Sequence, residues 1–186
     1  EPQAGSAAAA LSCRATADGD GYRITGAKAW ITHGGIADFY NLFARTAEGS
    51  QGISCFLVPR DTPGLTFGRP EEKMGLHAVP TTAAHYDDAF VPADRRIGTE
   101  GQGLQIAFSA LDSGRLGIAA VAVGLAQAAL DEAVSYSQQR TTFGRKIIDH
   151  QGLGFLLADM AAAVDAARAT YLDAARRRDA GMPYSR

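Results

Sequence analysis

Residues 106–139, IAFSALDSGRLGIAAVAVGLAQAALDEAVSYSQQ, divide the sequence into two kinds of chain. Glycine and proline punctuation thins out after Gly103 and alanine becomes frequent. Ile118, Val121, Leu125 and Ala129 recur at helical spacing, which predicts one long helix. Gly114, Gly117 and Gly124 each cost roughly 1 kcal/mol against alanine inside a helix. They point either to close helix–helix packing or to a ligand approaching near Gly114. A break follows at residues 140–149, around Gly144. Residues 151–180 then read as a second helix, stopped by Gly181 and Pro183. Its Leu153, Leu157, Met160, Val164, Ala167 and Tyr171 alternate steps of four and three and so share one face. Two such helices have more apolar faces than they can cover for each other, so they read as antiparallel helices forming half of a four-helix bundle.

Upstream of residue 103 the pattern changes to short strands. Tyr22 to Thr25 alternate after the turn-prone run Asp18-Gly19-Asp20-Gly21. Residues 38–44, 52–58 and 83–91 are apolar runs, the last two closed by Pro59 and Pro92. Thr62-Pro63-Gly64 marks a turn before Leu65-Thr66-Phe67. This spacing predicts a small β-barrel or sandwich. The expected class is α+β, with a β domain over residues 1–96 and the first half of a helical bundle domain over 97–186.

The chain has 186 residues, a formal net charge of −2 and no long Lys/Arg run, so a nucleic-acid surface is not indicated. Cys13 and Cys55 stand alone without metal-ligand spacing, and no metal site is expected. They are read as reduced thiols of an intracellular protein. No apolar run is read as approaching the ~20 residues that span a bilayer. The first residues, Glu1-Pro2, carry no targeting pattern, and both ends read as cut.

Some residues combine into candidate sites. Trp30 is the only tryptophan. It lies in Lys28-Ala29-Trp30-Ile31-Thr32-His33-Gly34-Gly35, between a strand and a Gly-Gly turn. It is either a packing anchor or a flat wall for a ring system, with the Thr32 hydroxyl placed to bond a ring nitrogen. Residues 1–6, EPQAGS, form a turn-rich loop whose amides and Ser6 hydroxyl suit a phosphate or an amide, or are only a turn. Asp112 and Arg115 form a buried pair or face a polar ligand. Arg140-Thr141-Thr142-Phe143-Gly144 sits at the helix break, where the planar guanidinium of Arg140 suits a phosphate or caps the preceding helix. His33, His77, His85 and His150 belong to no nucleophile motif and are read as surface or core residues.

Taken in order, these stretches resemble the acyl-CoA dehydrogenase family. The resemblance runs through EPQAGS (1–6), GAKAWITHGG (26–35), TPGL (62–65), EGQG (100–103), LDSGR (111–115), VGLAQAALD (123–131), RTTFG (140–144), HQ (150–151) and LADMA (157–161). It implies a middle β domain followed by the first half of a C-terminal four-helix bundle, with an N-terminal helical domain and the second half of the bundle outside this sequence. It implies α,β-dehydrogenation of an acyl-CoA thioester: a carboxylate takes the α proton while the β hydride passes to a flavin. FAD is the implied cofactor, and an electron-transfer flavoprotein, acyl-CoA and a homotetramer are the implied partners. Location in the cytoplasm, or the mitochondrial matrix of a eukaryote, follows from the same likeness.

The resemblance also assigns roles. Trp30 would stack near the isoalloxazine, with Ile31 and Thr32 along its edge. Ser6 would meet both FAD and the CoA arm. Asp112 and Arg115 would contact the CoA side. Arg140, Thr141 and Thr142, with Phe143 and Gln151, would hold the FAD of a neighbouring subunit. The family's catalytic glutamate lies either directly before the Arg of the LDxxR-like motif or near the C-terminus. The first place is Gly114 here, so no catalytic residue is expected in this chain, which alone is expected to be inactive. That choice favours a short-chain or branched short-chain acyl group. A non-catalytic relative and an oxidase or monooxygenase of the same fold stay open.

Overall fold

The computed structural model describes residues 1–185 and has two compact units, Glu1–Phe108 and Ser109–Arg186. The first is built on seven strands: β1 Arg14–Asp18, β2 Gly21–Thr32, β3 Phe39–Arg45, β4 Ile53–Pro59, β5 Leu65–Phe67, β6 Thr81–Pro92 and β7 Arg96–Ile97. They form one sheet in the order β5-β6-β2-β1-β3-β4-β7. Neighbours are antiparallel except β1 and β3, which meet in parallel through Arg14 and Arg45. The sheet is open and mixed, which corrects the expected small barrel. Its two ends, β5 with three residues and β7 with two, offer too little ladder to close on each other.

Local chemistry sets the connections. Gly19, at φ 57°, lets β1 and β2 join through a two-residue turn between Asp18 and Gly21. Gly64, at φ 88°, supplies the corresponding conformation before β5. The core lies among Ile24, Leu42, Phe56, Val58, Ala89 and Val91, all buried. Tyr22 packs edge-on against Phe56, ring centroids 4.9 Å apart. Burying a residue such as Phe56 or Ile24 contributes about 1.5–3 kcal/mol. The buried Ser54 hydroxyl contacts Thr46 Oγ1 at 2.8 Å and accepts the Gly101 N–H at 3.1 Å, so it does not go unsatisfied.

Helix α1 (Gly103–Gln139) begins in the first unit and continues into the second. A short hairpin, β8 (Thr141–Thr142) with β9 (Arg145–Lys146), leads to α2 (Gln151–Asp179). Cross-bonds from Arg168 Nη2 to Gln127 Oε1 (2.8 Å) and from Arg178 Nη1 to Ser113 Oγ (3.2 Å) show that α1 and α2 are antiparallel. The pair is consistent with half of a bundle. The α1 side of the seam is Val123, Leu130 and Ser137, each seven residues from the next. On α2 the buried positions are Leu157 and Val164.

Three expectations need correcting here. On α1 the stripe of Ile118, Val121 and Leu125 is 66–73% exposed, so the apolar face that packs on α2 is a different one. On α2, Leu157 and Val164 are buried as read, whereas Met160 and Ala167 are exposed. And α1 is, by length and composition, apolar enough to cross a membrane. The reason is its alanine and glycine content: between Asp112 and Asp131 only Arg115 is charged. The end of α2 is closed by Gly181 at φ 66°. The Gly181 N–H reaches the Arg178 carbonyl at 2.9 Å and the Met182 N–H the Arg177 carbonyl at 2.8 Å, a Schellman closure.

Candidate functional site

Along the β2–β6 ladder, Lys28 pairs with Ala84 and Ile31 with Thr82, so β2 carries one extra residue between the two pairs. That bulge contains Trp30 at φ 62°. A left-handed backbone is costly for a bulky side chain and persists only where the surroundings impose it. Here it turns the indole out of the sheet, 71% exposed. Ile31 packs against the core and the Thr32 side chain is exposed.

The turn that follows is held firmly. The His33 N–H donates to the Pro80 carbonyl at 2.7 Å. Tyr40 Oη accepts the Gly35 N–H at 2.8 Å and donates to the His33 carbonyl at 3.0 Å. Gly34 lies against Thr82, leaving no room for a Cβ.

The loop carrying Ser6 is tied to the same strand. Glu1 Oε1 meets Lys28 Nζ at 2.5 Å, and the same carboxylate accepts the backbone N–H groups of Ser12 (2.6 Å) and Cys13 (3.1 Å). Burial by itself raises the pKa of this carboxyl; the Lys28 hydrogen bond and the Ser12 and Cys13 amides outweigh it and hold the group at about 2. Arg45 donates to the carbonyls of Ala9 (2.7 Å), Leu11 (3.1 Å), Ala47 (3.2 Å) and Gly49 (2.7 Å). Ser6 is exposed between these two anchors.

The second unit holds two separate groups of expected residues. Asp112 and Arg115 pair at 3.0 Å on the surface of α1, with Arg115 69% exposed, so the pair is not a buried one. They border a groove of about 520 Å³ along the α1–α2 seam, with Val123, Thr170, Tyr171 and Tyr184. The hairpin after α1 carries the other group. Phe143 at φ 49° and Gly144 at φ 78° form its two-residue turn, and Phe143 is almost fully exposed. Arg145 Nη2 lies 3.0 Å from His150 Nδ1, and His150 Nε2 lies 3.4 Å from Thr142 Oγ1. With Arg145 as donor, the ring proton belongs on Nε2, facing Thr142. The Ile147 N–H donates to the Arg140 carbonyl at 2.9 Å, closing the hairpin. The Arg140 side chain makes no hydrogen bond among the described residues, so it does not cap α1, and exposed Gln151 opens α2. From Asp112 to the end of α1 the helix runs about 40 Å at 1.5 Å per residue. The structure therefore brings Arg140, Thr141, Thr142, Phe143 and Gln151 together and keeps Asp112 and Arg115 apart from them.

Sequence reasoning missed Glu1, Lys28, Arg45 and Tyr40, which hold these segments. One signal was present: Lys28 is a lone cation between Ala27 and Ala29 on a half-buried strand, and such a charge needs a partner.

Residues 1–89 match the family model "Acyl-CoA dehydrogenase, middle domain" and residues 101–185 match "Acyl-CoA dehydrogenase, C-terminal domain". The chain is 43% identical to a short-chain specific acyl-CoA dehydrogenase of Megasphaera elsdenii, over all of this chain and 49% of that protein. Its fold matches butyryl-CoA dehydrogenase from the same organism, with TM-score 0.93 and 43% identity, over 99% of this chain and 49% of that one. A chain in the solved structure of the electron transferring flavoprotein of Acidaminococcus fermentans matches with TM-score 0.92 and 44% identity, over 99% of this chain and 49% of that one. The chain thus spans about half the length of the relatives it matches.

Members of this family are FAD-dependent flavoproteins. The residues present suit such a group. An indole turned outward by a fixed bulge offers a flat apolar face, Thr32 an exposed hydroxyl, and the hairpin an unengaged guanidinium beside Thr141. With both halves of the sequence matching successive domains of one family, this chain belongs to the acyl-CoA dehydrogenases.

Proposed function

We infer that the protein containing this chain is a FAD-dependent dehydrogenase. It converts a short-chain or branched short-chain acyl-CoA thioester to its α,β-unsaturated product and passes the electrons to an electron-transferring flavoprotein. The observation that carries this reading is the Trp30 bulge, a strained backbone whose effect is to present an aromatic face to solvent. The relatives' names support the substrate class: one is short-chain specific and one is a butyryl-CoA dehydrogenase. The partner is supported by the likeness to a chain in an electron transferring flavoprotein structure.

FAD, when bound, supplies the two-electron acceptor for the β hydride. The chain's own residues bind and orient. Trp30 would offer its flat face to the ring system, with Ile31 at its edge and the Thr32 hydroxyl available to a ring nitrogen. Ser6 and its neighbouring amides would meet FAD and the CoA arm. Asp112 and Arg115 hold the polar part of CoA. Arg140, Thr141 and Thr142, flanked by Phe143 and Gln151, grip the FAD of a neighbouring subunit in a homotetramer.

The α proton needs a carboxylate base. Gly114, at the helical position a base would take, has none, so the base lies outside this chain. The 186-residue chain is then inactive by itself. The test is to purify the full-length protein, determine its flavin, and assay electron transfer from short acyl-CoAs to the flavoprotein acceptor. FAD retention with turnover supports the reading. A colourless protein that takes up no added FAD overturns it, and so does turnover by the isolated chain.

A further inference from the structure

We propose that Lys28 and Arg45 are positioning residues that clamp the two ends of the loop over residues 1–11, so that Ser6 is presented in its ligand-ready place before FAD arrives. The proposal rests on the FAD reading above. Lys28 Nζ reaches from β2 to Glu1 at 2.5 Å in a pair whose side chains are only 13% and 2% exposed. Arg45, on β3, holds the carbonyls of Ala9 and Leu11 at the other end of the loop and those of Ala47 and Gly49 beside it. Between the clamps, Gly5, Ser6 and Ala7 are exposed, and the Ser6 hydroxyl makes no hydrogen bond among the described residues. A loop fixed at both ends with its polar middle unengaged is arranged to receive a ligand at little ordering cost.

Stability alone does not call for this arrangement. A buried ion pair is often replaceable by apolar residues of similar volume without loss of stability. What the charges provide is direction. The Glu1 carboxylate takes donors from Lys28, Ser12, Cys13 and Gln3, which fixes the loop's entry relative to two strands at once. Lys28 stands two residues before Trp30, so one side chain sets the distance between the loop and the bulge in the same strand. Each cation is engaged with protein oxygens, Lys28 with the Glu1 carboxylate and Arg45 with backbone carbonyls.

The test uses the full-length protein and its Lys28→Met, Lys28→Arg, Glu1→Gln and Arg45→Met variants. FAD affinity is read by titrating the flavin-free protein. Lys28→Met and Arg45→Met are expected to weaken FAD binding about tenfold, with kcat at saturating FAD within about twofold of the parent. Lys28→Arg is expected to restore most of the affinity, and Glu1→Gln, which keeps the side chain's shape, serves if Lys28→Met does not fold. Amide hydrogen exchange at Ala4, Ala10, Ser12 and Cys13 of the flavin-free protein, whose N–H groups are bonded at the two clamped ends, is expected to quicken in the loss variants and reads the clamp without any flavin. Unchanged FAD affinity and unchanged exchange in Lys28→Met, whatever its melting temperature, would overturn the proposal. A parent protein that binds no FAD would overturn the functional reading instead, leaving hydrogen exchange to decide the clamp.

Discussion

Gly34 and Thr82 are packed so closely that a Cβ on Gly34 would overlap the Thr82 hydroxyl, with the Thr82 Cβ at 3.2 Å and the Ile31 carbonyl oxygen at 3.3 Å as its next neighbours. Glycine is needed here for space, since the residue is buried and its φ is not positive. Gly34→Ala is expected to destabilise the full-length protein by about 1–3 kcal/mol, the usual cost of forced overpacking. Thr82→Ala in the same background should recover part of the loss. A thermal melt of Gly34→Ala that coincides with the parent would contradict the packing described.

The Glu1 carboxyl gives a pH signature. Its folded pKa, about 2, lies below its ordinary value of 4.5 because Lys28, Ser12 and Cys13 outweigh the effect of burial. A depressed carboxylate pKa contributes stability that is fully present above the unfolded value and is lost as pH falls through the folded one. The contribution should therefore fade between about pH 4.5 and about pH 2. Glu1→Gln should flatten this part of the stability–pH curve while lowering stability at neutral pH. Parallel curves for parent and variant would remove the assignment.

Arg140 separates binding from folding. Its side chain makes no hydrogen bond among the described residues, so Arg140→Ala should leave the melting temperature of the flavin-free protein nearly unchanged. If it grips a phosphate of FAD, losing a charge-assisted hydrogen bond worth about 1.5–3 kcal/mol should weaken FAD retention by roughly ten- to a hundredfold. Equal flavin content after gel filtration of parent and variant would strike Arg140 from the site.

Much of the fold could be read from the sequence, and the gaps have physical causes. β5 was read in full from Thr62-Pro63-Gly64 and the three residues after it, because the turn chemistry is explicit there. β1 is not legible in the sequence because, of Arg14-Ala15-Thr16-Ala17-Asp18, only the small Ala15 is buried, too faint an alternation to mark a strand. On α1 the large residues Ile118, Val121 and Leu125 lie off the seam and the alanines around the seam are small, so periodicity marks the helix but not its packed side. The break after Gln139 was read, but not as a hairpin, since Phe143 is an unusual residue for a left-handed turn position. The candidate site was legible as a set of motifs. The bulge that turns Trp30 outward was not, because no residue preference marks a tryptophan at positive φ. The ion pair of Lys28 with Glu1 spans 27 positions, beyond the reach of local pattern.

Oxidation of a short acyl-CoA by the full-length protein, as proposed above with this chain supplying part of the flavin and CoA cradle, has a direct test. It is anaerobic mixing of the FAD-loaded full-length protein with butyryl-CoA, followed by flavin absorbance. Rapid bleaching of the oxidised flavin band is expected with butyryl-CoA and much weaker bleaching with a long-chain acyl-CoA. An FAD-loaded protein whose spectrum stays oxidised with every acyl-CoA offered would contradict it.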